Sequence, residues 1–276
     1  NNTAVGYAAM GASTSGHSNV AVGTNAMLVA TDATHNTAVG MDSLKALEDA
    51  NENTAIGYLA SNATTTGAGN TVVGSYAFDV NTTGGYNTAM GHNALGANTT
   101  ASNNTAVGNS ALLANTTATS NTAVGGNALL SNTTGTRNTA MGHNAGDAIT
   151  TATFCTAIGY LALSSATTVG YHTCVGDYAG YAITSGANQT FIGQGCGQAT
   201  TTGGYNVGVG HAALQTNISG AQSTAVGTYA LQNALEDNNT AVGYAAMQGC
   251  TTGEYNVAVG HAALDAVVTG DQNVAI

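Results

Sequence analysis

A repeat of 17 residues constrains the fold of this chain more than any other feature of its sequence. The phrase NTAVG, followed two residues later by Ala-Leu, occupies 104–112 and returns at 121–129. Its Asn, taken as position 0, first falls at residue 2, and the frame continues to residue 273 with one repeat, between 223 and 239, a residue short. Short fixed periods are typical of stacked units that share a core. We predict a single repeat domain over 1–276 and expect a segment of a longer fibre.

The first half of the repeat has the pattern of a short strand. Position 1 is Thr or Val and position 3 is always aliphatic, which gives two β-branched or aliphatic steps with a period of two. We predict that positions 1 and 3 point into the coil. The predicted core residues at position 3 include Val5, Val22, Val39, Ile56, Val73, Met90, Val107 and Val124.

Position 4 is Gly in every complete repeat, which indicates a bend with positive φ where the strand ends. The predicted bends include Gly6, Gly23, Gly40, Gly57, Gly74 and Gly91. A second short strand with apolar residues at positions 7 and 8 and then a polar turn are expected to follow. Because one such coil cannot bury its own apolar face, the repeat predicts an all-β parallel β-solenoid, or β-roll, with 17-residue coils.

Position 2 is nearly always Ala and, if positions 1 and 3 face inward, it faces outward. A strand that is apolar on both sides indicates a second buried surface outside the chain. We therefore predict a bundle of chains rather than a monomer. The candidate interface residues are Ala89, Ala106, Ala123 and Ala140.

The charge balance excludes some partners. Charged residues make up 5% of the chain, and its 13 acids face only Lys45 and Arg137, for a formal charge of −11. Nucleic acid and anionic membrane surfaces require clustered basic residues, so we expect neither as a partner. No apolar run is long enough to predict a membrane span.

The phrase A-V/I-G-x-x-A, with Asn or Ser just ahead of it, resembles the head repeats of trimeric autotransporter adhesins. The longer form, NTAVG-x-x-AL-x-x-NTTG, is similar to repeats of phage tail-fibre-type proteins and of bacterial surface proteins. This resemblance implies a homotrimer, located extracellularly on a cell surface or virion, that forms the shaft or head of a fibre used in attachment. A cell-surface receptor or glycan is the partner it implies. Adhesin head repeats are typically shorter than 17 residues, so handedness stays open.

Few residues suggest chemistry. Four His residues share position 5, and they would be the candidate ligands if a metal ion bound on a threefold axis. They are His92, His143, His211 and His261. The four cysteines are expected to be buried free thiols, because Cys155 and Cys174 lie too far apart for a bridge. Several loops carry sequons, at Asn62, Asn81, Asn98, Asn115, Asn132 and Asn217, as expected by chance in an Asn- and Thr-rich repeat. No catalytic set is evident, so we predict a protein that is not an enzyme and has no cofactor.

Two alternatives to the fibre stay open. An ice-binding β-solenoid would use the Thr residues of position 1, which would stack in a regular file if they faced outward. A sheath or surface-layer filament could be built from the same coils. The mass of the soluble particle separates the alternatives, since a trimer favours the fibre and a monomer favours ice binding.

Overall fold

A computed structural model describes residues 1–266 and 269–276 of the chain. Those residues form an all-β parallel β-solenoid, and no helix occurs among them. The fold divides into two compact units, residues 1–137 and residues 138–276, and each is described by itself. Both units are built from the same coil, so the solenoid architecture predicted from the repeat is confirmed. The extent of a single domain stays a prediction.

The first unit contains eight short strands, one per coil. They are β1 Thr3–Val5, β2 Val20–Val22, β3 Thr37–Val39, β4 Thr54–Ile56, β5 Thr71–Val73, β6 Thr88–Met90, β7 Thr105–Val107 and β8 Thr122–Val124. Each pairs in parallel with the next, and Thr88 of β6, for example, lies opposite Thr105 of β7. Equivalent residues of neighbouring coils therefore form straight files.

The described residues of the second unit, 138–266 and 269–276, form nine strands of the same kind. They are β9 Thr139–Met141, β10 Thr156–Ile158, β11 Thr173–Val175, β12 Thr190–Ile192, β13 Val207–Val209, β14 Thr224–Val226, β15 Thr240–Val242, β16 Val257–Val259 and β17 Val274–Ala275. Their parallel pairing also follows the sequence repeat, as Thr156 opposite Thr173 shows.

The shortened repeat keeps the strand register. Thr224 lies opposite Thr240 and Val226 opposite Val242, so the strands stay aligned across an offset of 16 residues. The missing residue falls in the polar turn. In a regular coil, the residue at position 14 lies against the carbonyl of position 14 in the next coil, and here the carbonyl of Glu236 takes that place against Gly220. A turn shortens at little cost, whereas a one-residue slip would reverse every side chain of a strand. The polar turn therefore absorbs the deletion, and the strands on both sides keep their pairing.

The Gly bends are confirmed. Gly6, Gly23, Gly40, Gly57, Gly74 and Gly91 all have φ between +132° and +145°, a region that is essentially restricted to glycine. The stacking adds a second requirement, because a Cβ on Gly91 would lie 2.4 Å from the carbonyl oxygen of Gly108 in the next coil. Position 4 thus combines an unusual φ with a close approach of two backbones.

The segment after the bend is not the second strand that the sequence predicted. It consists of turns in which positions 6 and 8 adopt positive φ, as Asn93 at 55° and Leu95 at 52° show. The amide of Ala94 donates to the carbonyl of Gly91, and that of Leu95 donates across to Ala111 in the next coil at 3.0 Å. In this conformation adjacent residues both face inward, and Ala94 and Leu95 are fully buried. The paired apolar positions 7 and 8 therefore fill one core and need no partner chain.

The strands face the opposite way to the prediction. Position 2 is buried in the coil except in the terminal strands β1 and β17, whereas position 3 is half-buried or exposed, with Val5 57% and Met90 41% exposed. The predicted core was therefore wrong at Val5, Val22, Val39, Ile56, Val73, Met90, Val107 and Val124. The predicted interface was wrong as well, because the core of the coil contains Ala89, Ala106, Ala123 and Ala140.

Two ladders of buried Asn explain which strand face is inside. At position 0, the backbone amide of Asn104 donates to Asn87 Oδ1 at 3.0 Å, and Asn104 Nδ2 donates to the carbonyl of Ala118 at 2.9 Å. At position 11, Asn115 Nδ2 donates to Asn98 Oδ1 at 2.9 Å. Buried amides need such partners. Position 0 must face inward to reach them, and position 2, two residues along the strand, follows it.

Candidate functional surface

Positions 1 and 3 of the strands form a surface that we call the outer strand face. One file of this face is mostly Thr, as at Thr71, Thr88 and Thr105, and the parallel file is Val, Ile or Met. Successive side chains within a file are about 4.8 Å apart, and the two files are roughly 6.6 Å apart along the strand. Each unit thus presents a regular array of hydroxyls and methyl groups to its exterior.

Aromatic and imidazole rings border the outer strand face just after the Gly bend. Tyr58 packs edge-on against Tyr76 with centroids 5.2 Å apart, and Tyr76 packs against His92 at 6.0 Å. In the second unit, His211 contacts Tyr229 at 5.2 Å, and Tyr244 stacks on His261 at 5.2 Å. These rings form short ladders between neighbouring coils.

The four candidate metal ligands take part in these ladders and lie apart from one another. His92, His143, His211 and His261 are exposed, and each contacts a Tyr ring of a neighbouring coil. Within 1–266 and 269–276, no three His, Cys, Asp or Glu residues come together in a group able to hold a metal ion. The structure therefore gives these His residues aromatic partners, and a metal site on one chain is not formed by them.

The four cysteines are buried free thiols, as the sequence predicted. Burial raises the pKa of Cys155 to about 11 and that of Cys196 to about 12, and it also raises the pKa of Cys174. Thiolate is the reactive form of Cys, so these residues act as small apolar side chains of the core.

His172 is the least satisfied side chain in the core. It occupies position 0, where most coils have Asn, and it is 1% exposed. Neither ring nitrogen has a hydrogen-bond partner in the described part of the chain. Burial lowers its pKa to about 4, and the nearby backbone of Val169, which favours the charged form, does not restore it. A neutral imidazole thus lies between Cys155 and Gln189 in a stretch of the file that has no Asn.

None of the six sequon Asn residues named from the sequence is exposed. Asn81, Asn98, Asn115, Asn132 and Asn217 are buried at position 11, and Asn62 is half-buried. Their amides serve the inner ladder, as Asn98 Nδ2 donating to Asn81 Oδ1 at 3.1 Å shows. A buried, hydrogen-bonded amide is not presented to a glycosylating enzyme in the folded chain.

One feature, a file of half-buried Gln side chains, escaped the sequence reasoning. Position 9 is Gln in four consecutive coils, at Gln198, Gln215, Gln232 and Gln248, and the coil before them has Tyr181 there. The recurrence of Gln in one register position was the available signal. It was missed because position 9 varies through the rest of the chain.

The fold and its outer strand face define a parallel β-solenoid repeat protein. No protein family and no curated protein matches the sequence. The described residues contain no helix of the length and apolarity that a membrane span requires.

Proposed function

We propose that this chain is the structural shaft or head of an extracellular homotrimeric fibre that serves in attachment, on a virion as a tail fibre or on a cell surface as an adhesin. The role is mechanical and adhesive rather than catalytic. The observation that carries the proposal is the outward-facing aliphatic file of the outer strand face, half-buried or exposed, which recurs in the coils of both units. Regular apolar surface of this kind marks an interaction site in soluble proteins.

The assembly surface differs from the one that the sequence suggested. Ala106 is buried inside the coil, so it cannot contact another chain, whereas Val107 beside it points outward. Three chains that meet through their position 3 files would remove this apolar surface from water, which stabilises association by about 25 cal/mol per Å². The resemblance of the repeat to trimeric fibre proteins supports the number three.

Light scattering coupled to gel filtration tests the proposal. The mass of one chain is 27.0 kDa, and the wild-type particle should have three times that mass. Val73→Asp with Val107→Asp should release folded monomers, because both residues are on the surface of the coil. The matched control is Thr83→Asp with Thr117→Asp, which adds the same charge to exposed turns of the same unit and should leave the trimer intact. A wild type that is monomeric would refute the proposal, and large open polymers would favour the sheath or surface-layer filament.

Ice binding is the second candidate, and one observation favours it. The Thr file faces outward beside the aliphatic file, so hydroxyls and methyl groups lie in the regular array that an ice-binding surface requires. This function predicts a monomer with thermal hysteresis activity. Thr88→Lys would abolish that activity, while Thr83→Lys in an exposed turn would retain it. Absence of hysteresis in a monomeric wild type would exclude the candidate.

A further inference from the structure

A ladder of Gln side chains crosses the surface of the second unit. Gln215 Nε2 donates to Gln198 Oε1 at 3.3 Å, Gln232 Nε2 to Gln215 Oε1 at 2.8 Å, and Gln248 Nε2 to Gln232 Oε1 at 2.6 Å. The bonds all run in one direction. The ladder therefore ends at Gln198, whose own Nε2 donates no hydrogen bond to any residue that the structure describes.

A groove of about 490 Å³ lies at this end of the ladder. We call it the Gln groove, and its lining residues are Tyr181, Ala182, Gln198, Ala199, Gln215 and Thr216. A volume of this size is within the range of small-molecule sites. It accommodates a ligand of a few rings rather than a folded domain.

An aromatic ring forms one wall of the Gln groove and is held in place by its neighbours. Tyr181 is 37% exposed, and its ring packs against that of Tyr178 with centroids 5.7 Å apart. Tyr178 in turn packs edge-on against Tyr160 at 5.4 Å. Such support limits the rotamer freedom that a ligand would otherwise have to remove on binding.

The lining chemistry selects a neutral polyhydroxylated ligand. Amide side chains offer both donors and acceptors, which match hydroxyl groups that do the same. The ring of Tyr181 offers an apolar face to C–H groups. No charged residue lines the groove, and the formal charge of −11 on the chain opposes anionic ligands.

We propose that the Gln groove binds a neutral saccharide, with one sugar ring packed on Tyr181 and its hydroxyls hydrogen-bonded to Gln198, Gln215 and Thr216. Gln198 and Gln215, one coil apart in the lining, suit a short linear chain of sugars rather than a single ring. This inference deepens the attachment function and rests on it for its biological role, although binding itself requires no assembly. An extended peptide is disfavoured as the occupant, because the groove offers side-chain amides rather than unpaired strand edges.

Saturation-transfer NMR on the full chain tests the proposal with defined probes. The probes are the neutral hexasaccharides of glucose in β-1,4 and α-1,4 linkage, the hexamer of N-acetylglucosamine, and hexagalacturonate as the anionic comparison. At least one neutral probe should give saturation transfer and hexagalacturonate should give none. Tyr181→Ala and Gln198→Ala should each weaken binding of that probe at least tenfold.

Two matched controls isolate the groove. Gln248→Ala removes the same side chain at the far end of the ladder, outside the lining, and Tyr205→Ala removes an exposed ring elsewhere in the unit. Both should bind as the wild type does. Far-UV circular dichroism verifies folding, and Tyr181→Leu replaces Tyr181→Ala if the latter is unfolded.

The outcomes separate this proposal from the assembly proposal. A trimer that binds none of the neutral probes overturns the saccharide site and leaves the fibre standing. A monomer that binds a neutral probe through Tyr181 supports the site and refutes the trimer. Binding that survives both groove variants, or that occurs only with hexagalacturonate or an extended peptide, overturns the assignment.

Discussion

Replacement of His172 by Asn should stabilise the protein and remove a pH dependence from it. Asn is the residue of most other coils at this position, and its Nδ2 would reach the carbonyl of Gly186 as Asn206 Nδ2 reaches Gly220 at 2.8 Å. Its Oδ1 would accept from the backbone amide of Gln189, as Asn138 Oδ1 does from Cys155 at 2.9 Å. The wild-type imidazole makes neither bond.

The magnitude follows from the pKa of His172. Its ordinary value is 6.5 and burial lowers it to about 4, so the unfolded chain binds a proton more tightly than the folded chain. Above pH 6.5 the His172 imidazole is neutral in both the folded and the unfolded chain, so it costs no stability. As the pH falls from 6.5 towards 4, the unfolded state is favoured progressively, and the loss of stability approaches about 3 kcal/mol. The flanking thiols Cys155 and Cys174 stay neutral throughout and do not offset this loss.

Urea titrations followed by circular dichroism, at about pH 7.5 and about pH 4, measure the effect. Between these conditions the wild type should lose about 3 kcal/mol more than His172→Asn does. His211→Asn is the control, since this His is exposed on the outside of the same unit and should behave as the wild type. Equal pH dependence of the wild type and His172→Asn would show that His172 is not held neutral in the folded chain.

Three further predictions concern the coil itself. Gly91→Ala should lower the free energy of unfolding by at least about 3 kcal/mol in urea titrations, because φ is +136° and the Cβ would lie 2.4 Å from a backbone oxygen. Gly96→Ala in the same coil should cost far less, because φ is not positive there and the Cβ would meet the movable end of Leu113 at 3.0 Å and a backbone oxygen only at 3.3 Å. Asn104→Ala should lower the free energy of unfolding by about 2 kcal/mol in the same titrations, because the carbonyl of Ala118 and the backbone amide of Asn121 lose their hydrogen bonds to the Asn104 side chain. An unchanged urea midpoint would contradict this. The buried thiols, Cys155 among them, should resist iodoacetamide at about pH 8 until urea unfolds the chain, and rapid modification of the native protein would show that they are accessible.

Ala106→Asp illustrates how the structure changes the meaning of an experiment. From sequence, this variant would test the interface between chains. In the structure Ala106 is fully buried within its own coil, so an unpaired carboxylate there should unfold a monomer and a trimer alike. Assembly is tested instead at Val107, one residue along, where a charge can remain in water.

The sequence by itself determined the repeat, the parallel register and the bends. A file of Gly at position 4 is readable because no other residue combines φ near +136° with the backbone contact that Gly91 makes to Gly108. The offset at the short repeat was equally readable, since the strand phrases on both sides of 227–238 are intact. These features are local, and each is encoded by residue types that have few alternatives.

Only the tertiary structure decided which strand face is inside. Alternation places positions 0 and 2 on one side and positions 1 and 3 on the other, and the more hydrophobic side is the one that the structure leaves outside. The inner side is chosen by hydrogen bonds between coils, such as Asn104 to Ala118, which have no local signature in the sequence. The positive φ of Leu95 was equally hard to read from the sequence, because Leu rarely adopts it. This φ turns the side chains of Ala94 and Leu95 into the same core. Apolarity alone favoured the aliphatic file, but buried amides need partners, and the narrow coil supplies those partners only on the side of Asn and Ala.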